Sequence, residues 1–427
     1  MLTRRPALTR ASAASAACQQ WLSPLLIASR KHAAWALAVQ RSIAETAAPT
    51  GFEGARADLV QRTLSQTQAP GETRDVSHGV PQAFRDRTGN VLWEIAPPQE
   101  VATAPALVCM AHLDTVFPPD TPLIVQSQGS RLYCPGIGDN SRGVAALLLL
   151  SRVLQLPEIQ SALRRPVVLV ATVGEEGAGN LCGARGLFDD RAARGDATFA
   201  ALAIDGPGDR AIMHHAIGSY RMRLHFRGGG GHSWANATVP NPAHVAGAVI
   251  HAIDQLARAV RPRATISVTR LGGGETLTSI PQHAWIDVDI RALEAAPLAQ
   301  LGRQVGALAR EQAQRASRGT VLPPIQVTTE LLGDRPAGSL DARHPLVQLA
   351  EEITHAVGRA PYSASASTDA NIPLALGIPA IGVGAGGTGG DAHTAGEWYD
   401  DTDSAIGLAR LLTLTVALAT TPLPQFV

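Results

Sequence analysis

Five segments, far apart in the chain, set acidic or histidine side chains at the end of an apolar run or in a glycine-rich loop. They are His112 and Asp114 in VCMAHLDT, Asp139 in GIGDNSRG, Glu175 and Glu176 in VVLVATVGEEG, Asp205 in ALAIDG, and His393 in GGDAHT. Imidazole nitrogens and carboxylate oxygens are borderline and hard donors. The set could hold two adjacent divalent cations and leave one carboxylate for proton transfer.

Each segment also has a plainer reading. His112 and Asp114 are two residues apart, so on a strand both point to one face. The Asp114 carboxylate could then accept the second imidazole N–H and fix the tautomer of a metal-bound His112, or the pair could serve a strand-end turn. Asp139 sits in a loop that opens a helix, where it could project into a cleft or cap that helix. Adjacent Glu175 and Glu176 face opposite ways unless the chain turns. That predicts different tasks, one ligating and one moving a proton, against the alternative of a solvated turn. Asp205 before Gly206 fits a strand-end ligand or a turn former. His393 follows a loop of five glycines, Gly386 among them, whose backbone N–H groups could face a substrate. His232 in GGGGHSWA is remote in sequence, while His251 and His355 read as helix-surface or packing residues.

The elements that must position these groups alternate from about residue 87. TGNVLWEIA, ALVCMAHLD, RPVVLVATVGEE and FAALAID read as strands, and SRGVAALLLLSRVLQL and GARGLFDDRAAR as helices. That alternation predicts an α/β layered sheet with helices on both faces and ligands at the strand ends. After residue 213 the pattern changes to β, α, β, β, α, β, a ferredoxin-like order. The expected division is a catalytic domain over 1–213, with an extension and helix over 1–44, an inserted α+β domain over 214–334, and a second catalytic part over 335–427.

Composition excludes some functions. Lys plus Arg and Asp plus Glu both total 36, which gives no electrostatic case for a nucleic-acid or anionic-membrane partner. Lys31 is the single lysine, and the arginines form no basic stripe. Cys18, Cys109, Cys134 and Cys182 show no CxxC pairing and read as buried thiols of a reducing, cytoplasmic setting. The first 44 residues lack acids and superficially resemble a leader, but Arg10 interrupts any apolar core of a signal peptide.

HLDTV, GDNSRGVAALL, TVGEEG, the aspartate of AIDG and the late GGDAHT, in this order around an inserted domain, resemble the M20 family of di-zinc metallopeptidases and amidohydrolases. APTGFEGARADLV, GHSWANATVPNPAH, LLGDRPAG and STDANIPLALGIPAI look most like its peptidase T-like branch. The resemblance covers roughly residues 40 to 420 and implies a zinc-peptidase-like layered sheet with an inserted lid or dimerisation domain. It implies one metal held by His112, Asp139 and Asp205, and a second held by Asp139, Glu176 and His393, most readily zinc, with cobalt or manganese also fitting. Two cations would share a hydroxide, Glu175 would be the general base, and Asp114 would orient His112. His232 would stabilise the oxyanion, Arg291 would clamp a substrate carboxylate, and Asn241 and Gly386 would also contact substrate. The expected substrate is a short peptide with a free carboxylate, cleaved as by an exopeptidase; N-acyl or N-carbamoyl amino acids are the alternative. The expected partner is a second copy through the inserted domain. One departure stands out: this chain reads LTSIP, with Thr278 and Ser279, where many relatives carry Asn before IP.

Overall fold

The computed structural model describes residues 8–66, 83–319 and 323–421. The start of the leader-like segment, 1–7, lies outside the described residues. From Leu8 that segment is the beginning of one helix, Leu8–Ala44, which packs on the helices Ser404–Thr420 and Ser141–Leu154. The described chain divides into two compact units, one formed by residues 1–215 with 339–427 and the other by 216–338.

The first unit is built on a mixed sheet. Its middle runs in the order Val91–Ile95, Val167–Thr172, Ala106–His112, Thr198–Ile204, Ala380–Val383, Ala211–Ala216. The four strands from Val167–Thr172 to Ala380–Val383 are mutually parallel, and the two flanking strands are antiparallel to them. Period-two alternation explains the unbroken apolar runs. Leu107, Cys109 and Ala111 join a core under the helices Leu8–Ala44, Ser141–Leu154, Pro345–Ala356 and Ser404–Thr420. Ala106, Val108 and Met110 join another core, under Cys182–Arg194 and Asn371–Ala375. Strands buried on both faces cannot alternate polar with apolar, so polar residues are displaced to their ends. His112, the Glu175–Glu176 pair and Asp205 all follow neighbouring parallel strands at their C-terminal ends, where open α/β sheets bind ligands.

A smaller antiparallel sheet, Thr388–Gly390, Trp398–Asp400, Arg131–Tyr133 and Gln126–Gln128, joins two distant segments of the same unit. It brings the loop carrying His393 beside the loop carrying Asp139.

The second unit is a four-stranded antiparallel sheet, ordered Ala264–Gly273, His283–Ala292, Gly218–Arg227, Gln326–Arg335. The helices Pro242–Val260 and Ala295–Ala316 share its core, with Phe226, Val249, Ile286 and Val305 buried between them. A two-residue pairing, Gly231–His232 with Ser279–Ile280, sets His232 opposite Ser279. Among the described residues no helix is long and apolar enough to cross a membrane.

Candidate metal centre

The loop 136–140 delivers Asp139. Capping of the helix Ser141–Leu154 falls to Asn140, whose Oδ1 accepts from Gly143 N–H at 3.0 Å. This leaves the Asp139 side chain to point elsewhere. The same Oδ1 accepts from Gly206 N–H at 3.0 Å, and Asn140 Nδ2 donates to Ile204 O at 2.8 Å, which ties this loop to the segment carrying Asp205. A Cβ at Gly143 would lie 2.1 Å from Asn140 Oδ1 and 2.5 Å from Ile204 O, so only glycine fits there.

Asp139 stands between two histidines. Its Oδ1 is 3.0 Å from His112 Nε2 and its Oδ2 is 3.2 Å from His393 Nε2. Each imidazole meets a further carboxylate: Asp205 Oδ1 is 3.7 Å from His112 Nε2, and Glu176 Oε1 is 2.8 Å from His393 Nε2. One donor atom each from His112, Asp139 and Glu176 lie within 4.8 Å of one another.

The donor chemistry tests whether cations fit. His112 Nδ1 lies 3.0 Å from the main-chain carbonyl of Asp114, which only accepts, so Nδ1 carries a hydrogen. In a neutral His112 the Nε2 lone pair would then face the oxygens of Asp139 and Asp205. Lone pairs facing carboxylates require a cation between them, a proton or a metal ion. The two imidazoles define two such positions that share Asp139, and the N and O donors suit a divalent metal.

Electrostatics in the metal-free protein agree. Burial disfavours a charged His112, yet Asp114, Asp139 and Asp205 hold it protonated well above its ordinary range. Asp139 and Glu176 push His393 up to about 10. Burial would raise Asp139, but both histidines hold it far below the usual carboxylate range. Asp205 goes the other way, raised by burial and by the charges of Asp139 and Glu176. Metal ligation needs neutral imidazoles, so ions entering this cluster must displace those protons. The expected result near pH 7 is release of about one proton per histidine, with affinity rising about tenfold per pH unit for each proton displaced, up to pH values near the histidine pKa. Calorimetric titration with Zn2+ in buffers of different ionisation enthalpy measures it; no proton release would contradict this charge state.

Asp114 stands beside His112 and also holds a second segment. Its carboxylate lies 3.5 Å from His112 Nδ1, while its main-chain carbonyl takes the closer contact. The carboxylate also accepts from Glu175 N–H and Glu176 N–H, both at 2.9 Å, and from the Thr50 hydroxyl at 2.9 Å. Burial raises its pKa, but His112 and these amides outweigh burial and keep it low and ionised. Asp114 thus fixes the turn that presents the two glutamates. Glu175 itself is buried.

Other supports had no spacing signal. Glu53 Oε1 accepts from Gly174 N–H at 3.1 Å and Gly51 N–H at 2.8 Å, bracing the same turn. Buried Arg56 donates to Leu113 O at 2.8 Å and to Thr46 O. Asp369 accepts from the Thr172 hydroxyl, and burial pushes its carboxyl up to about 6. Glu397 takes amides of the Asp139 loop.

Four predicted residues remain, Gly386 in the first unit and Asn241, Arg291 and His232 in the second. Gly386 donates its N–H to Gly208 O at 2.9 Å, so that amide is already engaged. With φ at +84° and a Cβ position 2.5 Å from Ser404 O, it serves close approach to the helix Ser404–Thr420. In the second unit, Asn241 caps the helix Pro242–Val260 by accepting from Ala243 N–H at 2.9 Å. Arg291 donates through Nε to Asp289 at 2.8 Å. His232 is exposed, and its Nδ1 accepts from Trp234 N–H at 3.1 Å.

Comparison with known proteins follows the same line. No curated protein sequence matches the chain. Among solved structures, aminopeptidase PepT from Bacillus cereus is 18% identical, with a TM-score of 0.69 over 89% of this chain and 97% of that one. A tripeptidase from Staphylococcus aureus is 19% identical, with a TM-score of 0.71 over 90% and 98%. A hydantoinase/carbamoylase family amidase from Burkholderia ambifaria is 17% identical, with a TM-score of 0.61 over 92% and 98%. At these identities the likeness is one of fold. The family model described as peptidase family M20/M25/M40 matches residues 108–417, a span that holds every residue of the cluster. With that match over most of its length and a metal-binding cluster at the strand ends, the chain belongs to the M20/M25/M40 peptidase family and is a metal-binding hydrolase.

Proposed function

We propose that this enzyme is an exopeptidase that hydrolyses the amide bond of short peptides, with two divalent ions, zinc foremost, at the cluster and Glu175 as general base. The observation that carries it is Asp139, whose two oxygens address two histidines, each joined by its own further carboxylate. One ion would be held by His112, Asp139 and Asp205, the other by Asp139, Glu176 and His393. Divalent cations supply Lewis acidity that polarises a carbonyl and acidifies water. Glu175 takes the proton of the attacking water and returns it to the departing amine. Its placement follows from Asp114, which holds the Glu175 and Glu176 amides so that one residue can ligate while the other moves a proton.

The reading also assigns substrate contacts to His232 and Arg291 on the chemistry each presents. Because Nδ1 of His232 accepts a backbone hydrogen, its neutral form carries the proton on Nε2, a donor suited to an oxyanion. Arg291 gives Asp289 one of five guanidinium N–H groups, and its fork matches a carboxylate. Four unpaired cysteines fit the cytoplasm.

A second reading, an N-acyl or N-carbamoyl amino acid amidohydrolase, is favoured by Ser279. It sits opposite His232 and engages Thr276 through its hydroxyl at 2.7 Å, offering no carboxamide there. Mass-spectrometric hydrolysis of mixed di- and tripeptides, N-acyl and N-carbamoyl amino acids separates the two. Metal-stripped enzyme should be inert and should regain peptide cleavage with zinc, cobalt or manganese. Release of acyl or carbamoyl groups alone would select the second reading, and no metal-dependent cleavage of any member would sink both.

A further inference from the structure

Glu397 lies four residues after His393 and is 1% exposed. Its carboxylate is the shared acceptor for three amides of the loop that delivers Asp139. Gly136 N–H donates to Oε2 at 2.8 Å, and the N–H groups of Gly138 and Asp139 donate to Oε1 at 2.8 and 2.9 Å. The Glu397 carbonyl also accepts from Cys134 N–H at 3.1 Å, so the residue holds this loop by main chain and side chain. The approach is tight: a Cβ at Gly138 would lie 3.3 Å from Oε1.

The stretch between His393 and Glu397 is itself a closed turn. Thr394 donates its N–H and its hydroxyl to Asp391 O at 3.1 and 2.7 Å, and Glu397 N–H donates to Thr394 O at 3.2 Å. His393 and the clamp on the Asp139 loop therefore belong to one hydrogen-bonded turn.

We infer that Glu397 is a positioning residue: by tying the Asp139 loop to the His393 turn it sets the separation of these two side chains, and with it the affinity for the divalent ion between them. The role needs a carboxylate. Two anionic oxygens accept three N–H donors, whereas a carboxamide would turn its own NH2 toward at least one of them.

The inference rests on the metal-centre reading, and the test separates the two. Parent and Glu397→Gln proteins are stripped with chelator, compared by circular dichroism and thermal melting, then titrated with Zn2+ or Co2+ by calorimetry, with no substrate present. A parent that binds no ion defeats the metal-centre reading and this inference with it. The expected result is parent-like melting of the metal-free variant and affinity lowered about 10- to 100-fold, the range seen when an outer support of metal ligands is removed. Glu397→Asp, which keeps the charge but withdraws it by one methylene, should lie between. Parental affinity in either folded variant overturns the inference. So does failure of both variants to fold, which would make Glu397 a clamp for the fold alone.

Discussion

The Glu175→Gln variant is expected to lose about 10²- to 10⁴-fold in kcat, the usual contribution of a positioned acid–base group, while both metal ions remain bound. The expectation follows from the division of labour at the turn after Val167–Thr172. Glu176 faces His393 at 2.8 Å, and Asp114 pins both glutamate amides, so replacing the Glu175 carboxylate leaves the ligand contacts described above in place. Glutamine keeps the size and loses the base. Metal analysis of the dialysed variant beside its steady-state rate decides the matter. Loss of an ion would make Glu175 a ligand, and near-parental kcat would remove it from proton transfer.

Asp139→Ala should have the larger effect on metal, because one carboxylate serves both histidines. Without it, each position keeps one imidazole and one carboxylate, too few for a tight divalent site. Both ions are expected to leave on dialysis, and turnover with them. In the parent, free metal at a hundred times its dissociation constant adds about 2.7 kcal/mol of stability for each ion, seen as a rise in Tm. The variant should show no such rise. A variant that still binds one ion with parental affinity would contradict the bridging role.

Much of this centre was legible in the sequence. The strands Ala106–His112, Val167–Thr172 and Thr198–Ile204 announce themselves as apolar runs because both faces are buried, and such runs can end only where water or a ligand meets the sheet edge. His112, Glu176 and Asp205 were therefore candidates before any geometry, and Asp139 and His393 joined them from glycine-rich loops. Their types were informative because chains seldom place buried carboxylates and imidazoles together without a cation to balance them.

Tertiary structure decided which group serves which. The two-residue spacing of His112 and Asp114 gave a shared face, but only the fold shows the carboxylate taken up by the amides of Glu175 and Glu176, 61 and 62 residues away. Asp139 was readable either as a cap or as a ligand. The start of the helix Ser141–Leu154 settles the choice, since the Asn140 side chain reaches Gly143 N–H and Asp139 must then point away. The amide of Gly386 looked open in a glycine-rich loop, yet it is bonded to Gly208 O.

Glu53 and Glu397 left no mark in spacing, because backbone amides are their partners and every residue type except proline offers one. The sequence by itself determined the chemistry available, two imidazoles and a surplus of carboxylates at strand ends and in glycine-rich loops, because residue type and periodicity are local properties. Only the folded chain determined the pairing, because Glu397 acts on amides 258 to 261 residues away, a distance that local pattern does not encode.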